Sequence, residues 1–267
     1  MAKLSKLTIV IKGAGEMASG VAWRLYMANF KKILMLETAN PLAVRRKVSF
    51  CEALHDGSQT VEGVKGIAAG AIEGIHSVWE QGGIAVAADP QWLLLQQVRP
   101  EVVVDAILAK KNLGTRMTEA DLVIGLGPGF TAGQDVHMVI ETNRGHDLGR
   151  ILTTGSAQAN TGVPGAIAGY TRQRVLRAPV AGHFQTTRSI GDLVKAGGVI
   201  GTVAGQKVTS RLDGVLRGLI RSETKVIQGL KIGDVDPRGQ AQFCYSISEK
   251  ARAIGGSVLE AVLRVFN

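Results

Sequence analysis

The sequence predicts an α/β chain: a Rossmann-like parallel-sheet domain, then a small all-β domain, then a C-terminal helix. Three observations predict it. Short apolar runs alternate with helical stretches through the first half of the 267 residues, as when parallel strands are joined by helical crossovers. A glycine turn, Gly13-Ala14-Gly15-Glu16-Met17-Ala18, directly follows the first apolar run. After about Arg172, glycines recur at short intervals and apolar runs shrink, which fits a compact β unit.

The strands are expected at residues 7–11, 33–37, 84–88, 102–107, 122–126 and 136–141. Near-continuous hydrophobicity in VVVDAIL and DLVIGL suits strands covered on both faces. Between two of them, DPQWLLLQQVRP reads as a crossover helix with Asp89 as N-cap, Pro90 at its first position and a stop before Pro100. Residues 1–172 are therefore expected to form the nucleotide-binding domain, 173–245 the β domain, and 246–267 a helix packing back on the body. Within the β domain, an offset of 32 residues matches Val180 with Leu212, Gly182 with Gly214, Phe184 with Leu216, Gly197 with Gly229 and Gly201 with Gly233. Two quasi-symmetric halves follow. The pattern resembles the barrel-sandwich hybrid of lipoyl- and biotinyl-carriers, which present a modified lysine at a hairpin tip. VAGQKVTS offers Lys207 there, as such a lysine or as an ordinary exposed turn residue, without the methionines that flank a carrier lysine.

Composition narrows the classes. The net charge of +9 suits phosphate-bearing ligands or acidic partners. With 4% aromatic residues and no aromatic run between the basic ones, the stacking platforms of single-strand nucleic-acid binders are missing. The opening MAKLSKLTIVIKG reaches its glycine too soon for a signal or membrane segment, so a cytoplasmic protein is expected. Cys51 and Cys244 match no metal-ligand spacing, and no metal site is expected.

The turn fits G-x-G-x-x-A: the first glycine turns the chain, the second lets backbone approach a diphosphate, and the small third residue allows close helix–strand contact. Amides at the following helix N-terminus favour an anion. Glu37, at the end of the second strand, stands where a carboxylate accepts ribose hydroxyls. Gly13, Ala14, Gly15, Glu16, Met17, Ala18 and Glu37 are thus the expected cofactor-binding residues, with Glu16 able either to repel a phosphate or to contact substrate. Gly127 and Gly129 in GLGPGFTAGQDVH are read as a lip of the same crevice or as a sharp strand-to-loop turn. Candidates for proton transfer are Asp105 and Lys110, alternatively a structural ion pair, and His137, alternatively a hydrogen-bonded core residue. Arg45, Arg46 and Lys47 can receive a phosphate or form a solvated basic face.

Taken together, GAGEMASGVAWRL, NPLAVRRKVSFCEA, DAILAKKN, GLGPGFTAGQDVHMVIET, NTGVPG and GLKIGDVDPR resemble the YqeB family, accessory proteins of selenium-dependent molybdenum hydroxylase systems. The resemblance implies a Rossmann-like amino-terminal domain similar to that of XdhC maturation factors, and a carboxyl-terminal β domain. It implies a role in maturing a molybdenum enzyme, with the molybdenum cofactor as a molybdopterin dinucleotide held at the turn and the apo-hydroxylase as partner; self-association is left open. Cys51, like Cys244, is read as a core thiol; sulfur or selenium chemistry at Cys51 is the alternative. An NAD-dependent oxidoreductase and a noncatalytic assembly scaffold are the alternatives, and whether the chain turns over a substrate is open.

Overall fold

The computed structural model describes residues 4–267, which divide into two units. The first comprises residues up to 41, 49–160 and 247–267; the second comprises 42–48 and 161–246. The chain's positive charge is not shared between them. The first unit holds 16 Lys and Arg against 17 Asp and Glu, net −1, and the second 15 against 5, net +10.

In the first unit the strands are β1 (Thr8–Lys12), β2 (Lys32–Glu37), β3 (Ser58–Val61), β4 (Val64–Ala68), β5 (Ile84–Ala88), β6 (Val102–Asp105), β7 (Leu122–Leu126), β8 (Thr131–Ala132), β9 (Met138–Ile140), β10 (Ile151–Leu152) and β11 (Gly155–Ser156). The helices are α1 (Glu16–Met27), α2 (Ala53–Asp56), α3 (Ile72–Glu80), α4 (Leu94–Val98) and α5 (Glu249–Phe266). Nine strands form one sheet in the order β10-β9-β7-β6-β1-β2-β5-β4-β3. Its central strands are buried over nearly their whole length, as expected for β-rich apolar runs sandwiched on both faces. β1 lies between β2 and β6, parallel to both; the chain leaves β1 towards β2 and leaves β6 towards β7 on the opposite side, so the strand order switches direction between β1 and β6, the position at which open α/β sheets bind ligands.

The second unit contains β12 (Val175–Arg177), β13 (Gly182–Gln185), β14 (Leu193–Val194), β15 (Val199–Val203), β16 (Gln206–Thr209), β17 (Gly214–Leu219), β18 (Thr224–Val226) and β19 (Lys231–Asp236). They make two four-stranded sheets, β12-β19-β17-β14 and β16-β15-β13-β18. Shifting each strand of the first sheet to its partner 32 residues away, forward or back, produces the second sheet in the same order. Each sheet therefore mixes strands from both repeats. Phe184, Ile200, Val215, Leu216 and Ile232 form the common core.

These observations correct the expected fold class. The large sheet is mixed, not a purely parallel Rossmann-like sheet: β3 pairs antiparallel with β4, and β10 antiparallel with β9. The connections from β6 to β7 and from β7 to β9 hold no α-helix, only a 3-10 turn at Met117–Glu119 and the β8 strand. The β unit is two separately paired antiparallel sheets, not a barrel. The edge hairpin escaped the pattern because SQTV is mostly polar and VKGIA is short with a glycine at its centre, and a Glu62-Gly63 turn with both residues at positive φ joins them. Lys207 lies on β16, paired with Thr202, and not at the hairpin tip, which is formed by Ala204 and Gly205. The helix after Asp89 starts only at Leu94, whose amide donates to the Asp89 carboxylate at 2.8 Å, so Pro90 precedes it. No helix among the described residues is long and apolar enough to cross a membrane.

Two buried acids order the β unit. Arg174 and Arg217 pair with Asp234, and Arg217 and Arg238 with Asp236. Burial alone would raise the Asp236 pKa, but hydrogen bonds from Arg238 and Arg217 outweigh it and hold the group at about 2. A carboxylate depressed on folding stabilises the fold above its unfolded pKa and loses that contribution as pH falls through the folded one. The urea midpoint is therefore expected to fall between about pH 4 and pH 2, and Asp236→Asn to flatten that part of the curve; an unchanged acid slope in the variant would refute the assignment.

Candidate functional site

The glycine turn is built from both sides. Gly13 sits at φ +93°, and a Cβ there would lie 3.2 Å from the Ala106 carbonyl oxygen, so only glycine fits without strain. Its amide donates to Leu36 at 2.6 Å. The next amide, Ala14, donates to Glu37 Oε2 at 3.0 Å, while Glu37 Oε1 accepts the Thr38 amide at 2.8 Å. Glu37, expected on a ribose, thus ties the turn to the end of β2. Ala14 is fully buried, and its carbonyl accepts from the Cys51 amide at 2.9 Å and from Ser19 Oγ at 3.1 Å. Ser19 Oγ accepts in turn from the Phe50 amide at 2.8 Å.

Beyond Ala14 the geometry changes. Gly15 is the N-cap of α1 in extended conformation, and nothing lies within 4 Å of where its Cβ would be. Glu16 and Met17 are partly exposed beside it, and Ala18 is buried beneath. The turn is therefore packed at residues 13 and 14 and open at residue 15, at the mouth of a helix whose first-turn amides carry partial positive charge.

One residue before the turn lies a buried charge cluster of which the sequence reading named Asp105 but missed Lys12 and Glu119. Lys12, the last residue of β1, is fully buried. Its Nζ donates to Thr115 Oγ1 at 2.8 Å, pairs with Glu119 at 2.7 Å and lies 3.6 Å from the centroid of the Trp92 ring. Thr115 passes the chain on, donating to Asp105 Oδ2 at 2.7 Å; Asp105 also accepts from the Ile107 amide at 3.2 Å. Burial lowers the Lys12 pKa against the pull of Glu119 and Asp105, and burial raises that of Asp105 against its hydrogen bonds and Lys12. Trp92 and Glu119 also line a groove of about 790 Å³ with Arg99, Arg116, Glu101 and Asp121. Both signs of charge face it. The sequence pointed to Asp105 and gave it the wrong cation; for Lys12 the signal is a lysine ending an apolar strand.

The other expected residues separate. Lys110 is exposed at φ +64° and is not the cation beside Asp105. His137 Nδ1 accepts the Val123 amide at 2.9 Å, so that nitrogen serves the strand pairing. Gly127 and Gly129 both have positive φ; a Cβ at 129 would meet the Lys111 backbone at 2.6 Å, so this loop is moulded against the loop after β6. Arg45 Nη2 donates to the Phe243 and Ser246 carbonyls, and Arg46 Nε to that of Leu219, which ties residues 42–48 into the β unit. Cys51 and Cys244 are buried thiols.

No family model matches the chain. In sequence it is 51% identical over 259 residues, 97% of its length, to YqeB of Escherichia coli (strain K12), a protein described as uncharacterized. The chain spans 48% of that relative. Among solved structures, an aspartoacylase family protein from Mesorhizobium loti is 13% identical, covering 86% of this chain and 84% of its own, with a TM-score of 0.28. TcdA (CsdL) is 12% identical over 98% of this chain and 88% of its own, with a TM-score of 0.35. At such scores these likenesses carry no argument. Over the aligned 259 residues this chain is a YqeB homologue, which supports the family resemblance borne by its motifs.

Proposed function

We propose that the chain is an accessory protein in the maturation of a selenium-dependent molybdenum hydroxylase, and that the Gly13–Gly15 turn holds the diphosphate of a molybdopterin dinucleotide or related nucleotide. The open space at Gly15, in front of the first turn of α1, carries the ligand part of this reading. The YqeB resemblance carries the link to the hydroxylase, whose apo-form is the proposed partner. The fit is to the nucleotide end: among the described residues no group of three His, Cys, Asp or Glu side chains is placed to hold a metal ion. When bound, the cofactor supplies the redox metal; this chain's residues bind and orient it. Because Glu37 already accepts the Ala14 amide, the donors left for a diphosphate lie in the first turn of α1, and Gly13 serves to shape the turn.

Thermal shift of the full chain with molybdopterin cytosine dinucleotide and, separately, with NADH tests this. At a hundredfold excess over Kd, a ligand bound only by the folded state adds about 2.7 kcal/mol, a rise of roughly 5–10 °C for a chain of this size. Stabilisation by the dinucleotide supports the proposal; by NADH alone, the oxidoreductase; by neither, a scaffold. Gly15→Val places its methyls in open space, costs about 1 kcal/mol as a poorer N-cap and is expected to abolish the shift. A variant that still binds would move the ligand elsewhere.

A further inference from the structure

The second unit contains a cavity of about 600 Å³ whose lining includes Arg172, Arg177, Lys207 and Arg211 and no carboxylate. Such a volume suits a small ligand. The four cations come from separate parts of the unit: Arg172 from a 3-10 turn, Arg177 from β12, Lys207 from β16 and Arg211 from the loop that follows. Converging like charges repel one another and persist at little cost only where solvent or an anion compensates them.

Three of the unit's five acids are ion-paired with cations outside this lining. Asp234 and Asp236 neutralise Arg174, Arg217 and Arg238, and Asp213 pairs with Lys195. Of the four cavity cations, Arg177 is held by donating Nη1 to the Gly229 carbonyl at 2.8 Å. Arg172, Lys207 and Arg211 have neither ion pair nor hydrogen bond from their side chains to the described residues. The lining also includes Pro164 and Pro179, whose rings fix φ at two places, and the buried Leu176 and Val208.

We propose that this cavity is a binding site for a small molecule carrying two or more phosphate groups, distinct from the glycine turn. Three guanidinium forks and an ammonium match phosphate oxygens bidentately and in number. Four of the unit's fifteen cations line the cavity, and the excess that suits a phosphate ligand lies wholly in the unit that lacks the turn. Cavity size and the two lining prolines favour a compact ligand over a nucleic-acid strand, which needs an open track and aromatic platforms.

Isothermal titration of the full chain with pyrophosphate, inorganic phosphate, citrate and a single-stranded oligonucleotide tests it. The expected result is a pyrophosphate-binding event at least about tenfold tighter than that of phosphate or citrate, since a second group adds charge-assisted bonds. It should survive Gly15→Val and weaken by about a hundredfold in the Lys207→Gln/Arg211→Gln double variant, roughly tenfold per lost cation. Both side chains are exposed, so the variant's thermal midpoint should match the wild type, which separates lost binding from lost folding. The proposal is overturned if the double variant binds pyrophosphate like the wild type, if citrate binds as tightly, if the oligonucleotide is the tighter ligand, or if no pyrophosphate heat survives Gly15→Val.

Discussion

Lys12→Met is expected to lower stability by about 3–5 kcal/mol at neutral pH, the cost of removing one partner from a buried ion pair. Methionine fills nearly the same volume, so the loss is electrostatic rather than a cavity effect. Without the ammonium, Glu119 loses its cation, and the hydroxyl of Thr115 loses its donor. Asp105 keeps its bonds from Thr115 and Ile107 but no longer faces a positive charge. The pH dependence gives the signature. Burial already raises the Asp105 pKa, and losing Lys12 removes one of the influences holding it down. A carboxyl whose folded pKa exceeds the unfolded value binds its proton more readily in the folded state, so it destabilises the fold increasingly as pH rises above the unfolded value. The variant's deficit should therefore shrink as pH falls from 7 towards 4. Adding Glu119→Leu should recover most of the loss, because two matched apolar groups are cheaper than one unpaired charge. Urea unfolding at both pH values measures all three. A deficit below about 1 kcal/mol would mean that water reaches the pair and that it behaves as a surface bridge.

This cluster also marks the limit of what the sequence disclosed. Residues 84–88 and 122–126 were legible as strands because a buried parallel strand must be apolar on both faces, and both segments coincide with β5 and β7. The turn at Gly13 was legible because its positive φ demands glycine. Lys12 was not. At the end of a strand a lysine ordinarily reaches water, and here the loop carrying Thr115 and the 3-10 turn carrying Glu119 fold back over it, a tertiary event with no local signature. The crossover after Asp89 shortened for a similar reason: Trp92, at φ +58°, turns out of helical geometry and sets its ring on Lys12. The mixed edges of the sheet were hidden in strands of two to five residues, where periodicity has too few residues to register.

The charge distribution argues further that the two units have separate electrostatic duties. The net charge of +9 suits a phosphate-bearing ligand or an acidic partner, but it does not lie with the turn. Apportioned, the first unit is nearly neutral, so the site proposed at its turn would rely on amides and a helix dipole, while the second holds the cationic cavity. Salt should therefore weaken binding in the second unit more steeply than at the turn, since helix-end amides carry only partial charges.

Gly255→Ala is expected to destabilise the chain by up to about 2 kcal/mol, the overpacking cost less the gain in helix propensity, whereas Gly256→Ala, one position along the same helix, should stabilise it by about 1 kcal/mol. Both substitutions gain helix propensity, close to 1 kcal/mol each. They differ in what the new methyl meets. At 256 nothing lies within 4 Å; at 255 the Gly20 carbonyl oxygen lies at 2.9 Å and Arg24 Cβ at 3.1 Å. The close neighbour is backbone, which cannot swing aside, so α1 and α5 must part. Overpacking of this kind costs about 1–3 kcal/mol and here outweighs the propensity gain. The reciprocal contact is as tight, a Cβ at Gly20 falling 2.7 Å from Ala251 Cβ, so the two helices approach through a pair of glycines. Because α1 begins at Glu16, directly behind the turn, a shift of α1 also moves the amides proposed to hold the diphosphate. Gly255→Ala should thus weaken the ligand-induced thermal shift beyond its effect on the unliganded midpoint, and Gly256→Ala should leave that shift intact. Equal effects of the two alanines on stability would show that the helices are free to separate without cost, and would remove α5 from any part in holding the turn.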